Sequence, residues 1–247
     1  MTVCIIAVIA VSALSVAAIS YLGSEGWTWN PIWTPDGPKT TFYSDAEVGA
    51  TTGTVTLEID LTTGGIALDF EDNVTLLYRI EVEVYNSTID VDGEPDVTFS
   101  ANTIGLDYTT GGATVVLGTG VDYNIDLLAT TGGIDVDLEN GARIGNVSLT
   151  ATTGGIDLKL NSDVDIVGDV HFDVETSTGA INAEIALPVG VEGSFVAATS
   201  TGGVLVSAPG WNAVLLNHYE TPNYDVASKR ITIIAQAATG GISANLG

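Results

Sequence analysis

Beyond about residue 50, apolar and polar residues alternate along most of the chain. Ile134, Val136 and Leu138 alternate with Asp135 and Asp137, and the same period of two recurs in many other segments. Such alternation is typical of a β-strand with one buried face and one solvated face. The pattern therefore predicts an all-β domain whose carboxylates point outward.

Short Thr-Gly motifs separate these alternating segments. The commonest form is Thr-Thr-Gly-Gly, and the motifs recur about every 22 residues, a spacing that indicates a repeat protein. Because glycine readily adopts positive φ, each motif predicts a bend that joins two short strands. The copy at Thr88, in Asn-Ser-Thr-Ile-Asp-Val-Asp, has lost its glycines. With the residue before the first glycine as the marker, the copies lie at Thr52, Thr63, Thr88, Thr110, Thr131, Thr153, Thr178, Thr201 and Thr239.

Stacked repeats of this kind bury an apolar face that one repeat cannot bury alone. We therefore expect residues 42–247 to form an all-β domain of the β-solenoid or β-helix-like type, with an antiparallel β-sandwich as the alternative. The chain stops inside its own repeat at residues 241–247, so we expect an unpaired last coil. That coil would pair with another subunit unless the insertion near His218 covers it.

The first 24 residues are a separate apolar segment. Residues 3–22 contain no charged side chain and are long enough, as a helix, to cross a bilayer. We interpret residues 1–24 as a transmembrane helix and residues 25–41 as a juxtamembrane linker, whose tryptophans suit the membrane–water interface. The alternative is a cleaved secretory signal, for which Ser15-Val16-Ala17 offers small residues at a cleavage site.

Three sequons bear on the orientation of the chain. Asn73, Asn86 and Asn146 each begin an Asn-x-Ser/Thr triplet, which is the acceptor for N-glycosylation in exported proteins. Together with the single N-terminal span, they favour a single-pass protein of the cell membrane. Its C-terminal domain would lie outside the cell.

The repeats also resemble a known family. The pattern Thr-Thr/Ser-Gly-Gly-Ile-x-Val/Leu recurs over residues 50–247, and the strand at 229–233 leads into a last copy at Thr239-Gly240-Gly241-Ile242. This pattern resembles the "putative adhesin" β-strand-repeat domains, also called toast-rack domains. The resemblance implies a right-handed β-helix-like fold, an association with the cell envelope and a membrane segment, without an established catalytic activity. The usual bend of that family is Thr-Ser-Gly-Asp, whereas this chain has mostly Thr-Thr-Gly-Gly.

The charge and the residue composition of the chain bear on which classes of function we expect. The 247 residues include 31 acidic and six basic side chains, which give a net charge of −25, and the basic residues are scattered. Binding of nucleic acid needs clustered Lys and Arg, so we expect no nucleic acid partner. One cysteine and two histidines leave few groups for a metal centre or a nucleophilic triad. We therefore expect no enzymatic activity; the alternative is a carbohydrate-active enzyme with two carboxylates in one groove.

One acidic stretch is the candidate metal site. Four carboxylates occur within seven residues around a glycine, and this composition suits Ca²⁺, a hard cation that binds oxygen ligands. The stretch lacks the EF-hand spacing, and the competing interpretation is a solvated acidic surface. The four residues are Asp90, Asp92, Glu94 and Asp96. We expect no other cofactor.

One insertion is the candidate recognition site. The interval between Thr201 and Thr239 is longer than the spacing of the other copies. Insertions in repeat proteins map to loops, and loops on a rigid scaffold often bind partners. The alternative is a loop that caps the end of the stack. The residues that would supply contact area are Trp211, His218, Tyr219 and Tyr224.

Together these observations favour a non-catalytic protein of the cell envelope. We expect a membrane-anchored, extracytoplasmic, structural or adhesin-like protein. Its expected partners are the membrane, further copies of itself, or envelope glycans and proteins. An envelope-sensing domain is a further alternative, and it would need a separate cytoplasmic partner because only two residues precede the apolar segment.

Overall fold

This computed structural model describes residues 37–49, 51 and 53–247. Within it, Gly37–Gly247 form one compact unit. The expected transmembrane helix, residues 1–24, lies outside the described residues, as does most of the expected linker. Among the residues described, no helix has the length and apolarity needed to cross a membrane. The first strand begins at Lys39, inside the stretch that we expected to be linker.

The described part of the chain is mostly β-structure, as the alternation predicts. It contains one short helix, α1 (Asn86–Asp92), and a 3-10 turn at Tyr224–Val226. The strands in chain order are β1 (Lys39–Glu47), β2 (Thr54–Thr63), β3 (Ile66–Phe70), β4 (Leu76–Tyr85), β5 (Thr98–Ser100), β6 (Thr103–Thr110), β7 (Gly112–Leu117), β8 (Asp122–Thr131), β9 (Ile134–Leu138), β10 (Arg143–Thr153), β11 (Ile156–Leu160), β12 (Asp165–Ile166), β13 (Asp169–Thr178), β14 (Ile181–Ile185), β15 (Glu192–Thr201), β16 (Val204–Ser207), β17 (Asn212–Leu215), β18 (His218–Glu220), β19 (Arg230–Thr239) and β20 (Ile242–Leu246).

These strands form two large sheets whose inner faces share one apolar core. Sheet A has nine strands in the order β1-β4-β7-β3-β9-β11-β14-β20-β16. Sheet B has eleven, in the order β17-β18-β15-β19-β13-β10-β8-β2-β6-β5, with β12 beside β10. The fold is thus all-β with two open sheets rather than a closed solenoid.

Seven repeats build the stack, each with one strand in sheet B, a bend at the Thr-Gly motif, and the next strand in sheet A. In chain order, repeats 1 to 7 are β2/β3, β6/β7, β8/β9, β10/β11, β13/β14, β15/β16 and β19/β20. Their order in space is the same in both sheets, 6-7-5-4-3-1-2. Repeats 2 and 3 are consecutive in the chain but not adjacent in the stack, because repeat 1 lies between them. Repeats 5 and 6 are likewise separated by repeat 7.

Pairing between repeats is parallel throughout, so the alternative of an antiparallel sandwich is wrong for them. For example, Leu149 of β10 lies between Leu127 of β8 and Val174 of β13. Antiparallel pairs occur only at the two ends of the stack among the described strands: β1–β4, β4–β7 and β5–β6 at one end, β15–β18 and β17–β18 at the other.

The period of two in the sequence matches the burial of the strands. Leu158 is buried, whereas its neighbour Asp157 is exposed on the outer face of sheet A. Val147, Leu149 and Ala151 likewise point into the core. The assignment of inward and outward faces for these strands is therefore confirmed.

In every bend except that of repeat 2, the first glycine occupies a place where no side chain fits. Gly132 has φ 149°, and a Cβ on it would lie 1.7 Å from the carbonyl oxygen of Gly64 in the adjacent repeat. A Cβ on Gly154 would likewise lie 1.7 Å from the carbonyl oxygen of Gly132. The backbone N–H of Gly132 donates to the carbonyl oxygen of Thr153 at 2.9 Å. The bends thus stack backbone against backbone, which explains why the motif keeps its glycine.

One of the predicted copies is not a bend. The segment at Thr88 forms helix α1 rather than a strand pair, so that prediction is wrong. Without a glycine, this segment cannot make the close backbone contact of the other bends. The marker residue of the first copy, Thr52, lies outside the described residues, and Gly53 directly precedes β2.

The chain terminus also differs from the expectation. We expected residues 241–247 to form an unpaired end coil, but β20 lies inside sheet A between β14 and β16. Ile242 and Leu246 are buried there. The unpaired edge of sheet A at this end is β16, which is the strand that precedes the insertion in the chain.

Candidate functional site

The insertion between repeats 6 and 7 caps half of one end of the stack. It forms the hairpin β17–β18, and β18 pairs antiparallel with Ser194, Phe195 and Val196 of β15. The N–H of Ala197 donates to the carbonyl oxygen of Asn217 at 2.9 Å. Beyond Ala197, no described strand covers the outer edge of sheet B or the outer edge of β16. We call this uncovered part, residues 198–207, the open edge.

The four aromatic and histidine residues of the insertion contact their own chain. Trp211 packs against the core beside Gly193, where a Cβ would lie 2.4 Å from its Cη2, and Tyr219 packs against the same core. His218 Nε2 is 3.2 Å from the Ser194 hydroxyl and 3.0 Å from Glu220 Oε1. The Tyr224 hydroxyl is 2.6 Å from that of Thr232. This is the capping arrangement that we held as the alternative, and recognition by these residues stays a prediction.

Aliphatic side chains, which the sequence reasoning passed over, are the exposed ones at this end. Leu205 on β16 is 74% exposed, and Leu215 and Leu216 at the hairpin turn are 72% and 90% exposed. Val204 and Val206, the inward residues of β16, are only half-buried because no further repeat covers them. In the sequence, Leu205 stands at an outward position that is mostly polar in the other sheet-A strands of the repeats, but only the topology shows that β16 is an edge.

The same end of the stack is almost free of charge. No acidic or basic side chain occurs between Glu192 and Glu220, and none follows Arg230. These uncharged stretches include the bends and inner strands of repeats 6 and 7, which are neighbours in both sheets. In a chain of net charge −25, this end is therefore neutral and apolar.

The rest of the outer surface carries most of the carboxylates. Every basic side chain is within ion-pair distance of a carboxylate, as Lys159 Nζ is of Asp137 Oδ2 at 2.6 Å and Arg143 Nε is of Asp122 Oδ1 at 2.6 Å. The remaining pairs are Lys39–Glu83, Arg79–Glu71, Lys229–Asp165 and Arg230–Asp169. Six cations cannot neutralise 31 acids, so the body of the domain keeps a strong negative field.

On sheet A, burial and neighbouring carboxylates shift the pKa of one aspartate. Partial desolvation, together with the nearby carboxylates of Asp157, Asp137 and Asp69, raises the pKa of Asp135 above its usual range. On sheet B, desolvation and the carboxylates of neighbouring strands likewise raise the pKa of Asp60. These acidic rows bring like charges together, and Lys159 is the basic residue within the row of sheet A.

A polar groove of about 450 Å³ lies on the outer face of sheet B. Its floor is a bulge in β10, where the Asn124 Oδ1 accepts the N–H of Asn146 and the Asn146 Oδ1 accepts the N–H of His171, each at 2.9 Å. Asp126 and Asp173 flank it on β8 and β13, two strand spacings or about 10 Å apart. The groove is lined by Thr56, Asn124, Ile125, Asp126, Asn146, Val147, Ser148, His171 and Asp173.

The four residues of the calcium hypothesis are all exposed. Asp90 and Asp92 lie at the end of α1, and Glu94 and Asp96 follow on the loop to β5. Asp92 accepts a hydrogen bond from the Thr109 hydroxyl. Among the described residues, no group of three or more His, Cys, Asp or Glu side chains is arranged to hold a metal ion. Binding of Ca²⁺ here stays a prediction.

The three sequon asparagines lie in different settings. Asn73 closes a turn, since its Oδ1 accepts the N–H of Thr75 at 3.1 Å, and the Asn86 Oδ1 accepts the Thr40 hydroxyl at 2.7 Å. Asn146 is exposed on the groove. Their glycosylation stays a prediction.

A solved structure shows the same fold. The chain is similar to a putative cell adhesion protein from Clostridium sporogenes, at 15% sequence identity and a TM-score of 0.70 over 85% of this chain and 100% of that one. Weaker matches are putative adhesins from Bacteroides fragilis, at 10% identity and a TM-score of 0.35, and from Parabacteroides distasonis, at 9% and 0.28. They cover 85% of this chain and 98% of theirs.

No family model and no curated protein matches the sequence. The likeness to the Clostridium sporogenes protein therefore rests on the fold, which extends over the whole of that protein. The bends indicated a resemblance to the "putative adhesin" repeat domains. This resemblance is confirmed at the level of the fold.

Proposed function

We propose that the protein is a membrane-anchored, adhesin-like structural protein of the cell envelope. The carrying observation is that the chain enters the domain at β1, one edge of sheet A, whereas the neutral, apolar open edge lies at the opposite edge, β16. Nine strands place these two edges about 40 Å apart. A domain held at β1 would therefore present its open edge away from the point of attachment.

The anchor in this proposal is residues 1–24, and the β-domain lies outside the cell. The uncharged stretch at 3–22 and the sequons at Asn73, Asn86 and Asn146 support this orientation. The fold of a cell adhesion protein over its full length supports the adhesin-like role. We further assign a right-handed winding to the repeats, the hand that parallel crossovers strongly prefer; an experimental structure with left-handed winding would refute it.

Labelling of intact cells tests this proposal. In a Cys4→Ser background, Val91→Cys places a thiol at a residue that is 82% exposed, and Leu158→Cys places one in the core as the matched control. In the native host, the Val91→Cys protein should pellet with membranes and react with a membrane-impermeant maleimide before lysis, whereas the Leu158→Cys protein should react only after denaturation. Labelling of Val91→Cys only after lysis would refute the outward orientation, and recovery from the soluble fraction would refute the anchor.

A carbohydrate-active enzyme is the second candidate, favoured by one observation. Asp126 and Asp173 line the same groove, on strands about 10 Å apart, and an inverting glycosidase needs two carboxyl groups about 6.5 to 9.5 Å apart in one groove. Release of reducing ends from envelope polysaccharide by the wild type, and its loss in both Asp126→Asn and Asp173→Asn, would establish this function. Absence of any release would leave the non-catalytic proposal standing.

A further inference from the structure

We propose that two copies of the chain pair through their open edges, with β16 of each antiparallel to β16 of the other. This inference goes beyond the proposed function and does not depend on it, since pairing requires neither the anchor nor a position outside the cell. It rests on the hydrogen bonding of β16, on the part of the end that the hairpin leaves uncovered, and on the distribution of charge.

The free side of β16 has backbone groups suited to a further strand. β16 pairs with β20 on one side, where the N–H of Ile242 donates to the carbonyl oxygen of Gly203 at 2.9 Å. In this parallel register the N–H and C=O groups of Val204 and Val206 point the other way. No described strand pairs with them. A strand added there would also cover the half-buried side chains of these two valines.

A second β16 fits this edge in an antiparallel register centred on Leu205. Val204 of one copy would then face Val206 of the other, so that each pair exchanges two hydrogen bonds. Leu205 would oppose Leu205 across the two-fold axis, at a non-hydrogen-bonded position where the side chains are closest. Such a self-complementary contact is what a two-fold dimer requires.

The hairpin leaves room for this arrangement. It pairs with Ser194–Val196, the first half of β15, and leaves the second half of β15 as open as β16. A two-fold axis perpendicular to the sheets makes the strands of the second copy run in the opposite direction. The hairpin β17–β18 of each copy then lies beside the bend between β15 and β16 of the other copy, and the two hairpins do not collide. The open halves of sheet A and sheet B can then pair at the same time.

Charge favours association of two copies at this surface over association through the acidic outer faces of the sheets. Elsewhere the carboxylates of two copies repel each other, but residues 198–207 carry no charge. The opposite edge of sheet A is protected, because β1 carries Lys39, Asp45 and Glu47, and charges on an edge strand discourage further pairing. The open edge has neither charges nor proline to discourage it.

Charge variants at Leu205 test the pairing in the full-length protein. Leu205 is 74% exposed, so Leu205→Asp and Leu205→Lys should fold, but each puts like charges opposite one another across the axis. By sedimentation velocity in detergent, we expect a wild-type dimer and a dissociation constant raised at least about tenfold in either variant. An equimolar mixture of the two variants should restore the dimer, because opposite charges then face each other.

Val91→Asp is the matched control. Val91 is an exposed valine on α1, so this change adds a charge away from the open edge and should leave the dimer intact. A wild type that is monomeric at all concentrations would overturn the proposal. So would a dimer that persists in Leu205→Asp, since association would then occur elsewhere, for example through the N-terminal segment. These outcomes leave the proposed envelope function untouched.

Discussion

At the scale of single residues, the packing of glycine explains why the Thr-Gly motif recurs along the sequence. The motif itself predicted a bend from the conformational freedom of glycine. It did not predict that Gly154 meets the carbonyl oxygen of Gly132 in the adjacent repeat, because that contact exists only once repeats are stacked. The two glycines of a motif are consequently not equivalent.

Replacement of each glycine by alanine should separate their roles. The Cβ of Gly154→Ala would lie 1.7 Å from the Gly132 oxygen, so the bends must move apart, and we expect a loss of at least about 3 kcal/mol in the free energy of unfolding. The Cβ of Gly155→Ala would lie 3.4 Å from the Ala180 oxygen, and we expect a change below about 1 kcal/mol. Urea unfolding measures both, and similar values for the two would contradict the stacked bend.

Single carboxylates give a dependence of stability on pH. The pKa of Asp135 is raised in the folded protein, so its charged form destabilises the fold above that pKa, and the penalty is relieved as the pH falls through it. Asp135→Asn should therefore raise the free energy of unfolding at pH 7, by less than about 1 kcal/mol for so exposed a residue, and should have no effect well below pH 4.

Asp169→Asn should change the free energy of unfolding in the opposite direction to Asp135→Asn. The hydrogen bond from Arg230 lowers the pKa of Asp169, so its ionised form stabilises the fold at neutral pH, and this stabilisation is lost as the pH falls through the folded pKa. Asp169→Asn should destabilise the protein at pH 7, and the loss should shrink on acidification. Two variants that changed stability in the same direction at pH 7 would contradict these assignments.

At the scale of elements, the alternation of the sequence was sufficient to predict the strands and their faces. Leu158 and Asp157 show this, since their predicted inward and outward positions match the structure. The exception is Asn86–Asp92, which has the residues of a strand repeat but forms a helix at the end of the stack. No neighbouring repeat pairs with it there, so alternation in the sequence is not enough to make this segment a strand.

Substitutions on β11 test the faces directly. Leu158→Asp would place a charge in the core between β9 and β14, and we expect a loss of at least about 3 kcal/mol in the free energy of unfolding. Asp157→Asn keeps an acceptor for the Asn182 amide, now 2.7 Å from Asp157 Oδ1, and removes one charge from an acidic row. Its effect should stay within about 0.5 kcal/mol by thermal or urea unfolding. Equal damage from both changes would mean that the faces are reversed.

At the scale of the whole molecule, the order of the repeats could not be predicted. The intervals from Thr110 to Thr131 and from Thr178 to Thr201, where the chain skips a position, are no longer than those between adjacent repeats. The residues of these two connections do not distinguish them from the others, because passing over one position in the stack requires only one more strand spacing. The arrangement becomes stable only when a repeat distant in the sequence fills that position. The candidate site follows from this order, since it makes β16 rather than β20 the free edge.

Hydrogen exchange tests this order most directly, and the neutral open edge and both proposals depend on it. In the full-length Leu205→Asp protein, which keeps the open edge unpaired, we predict that amides of Ile242–Leu246 are as protected as those of Ile156–Leu160, because both strands pair on two sides. Amides of Val204–Ser207 should exchange much faster, because β16 pairs on one side only. Fast exchange in Ile242–Leu246 with protection of Val204–Ser207 is the result of a stack in simple chain order, and it would contradict the account.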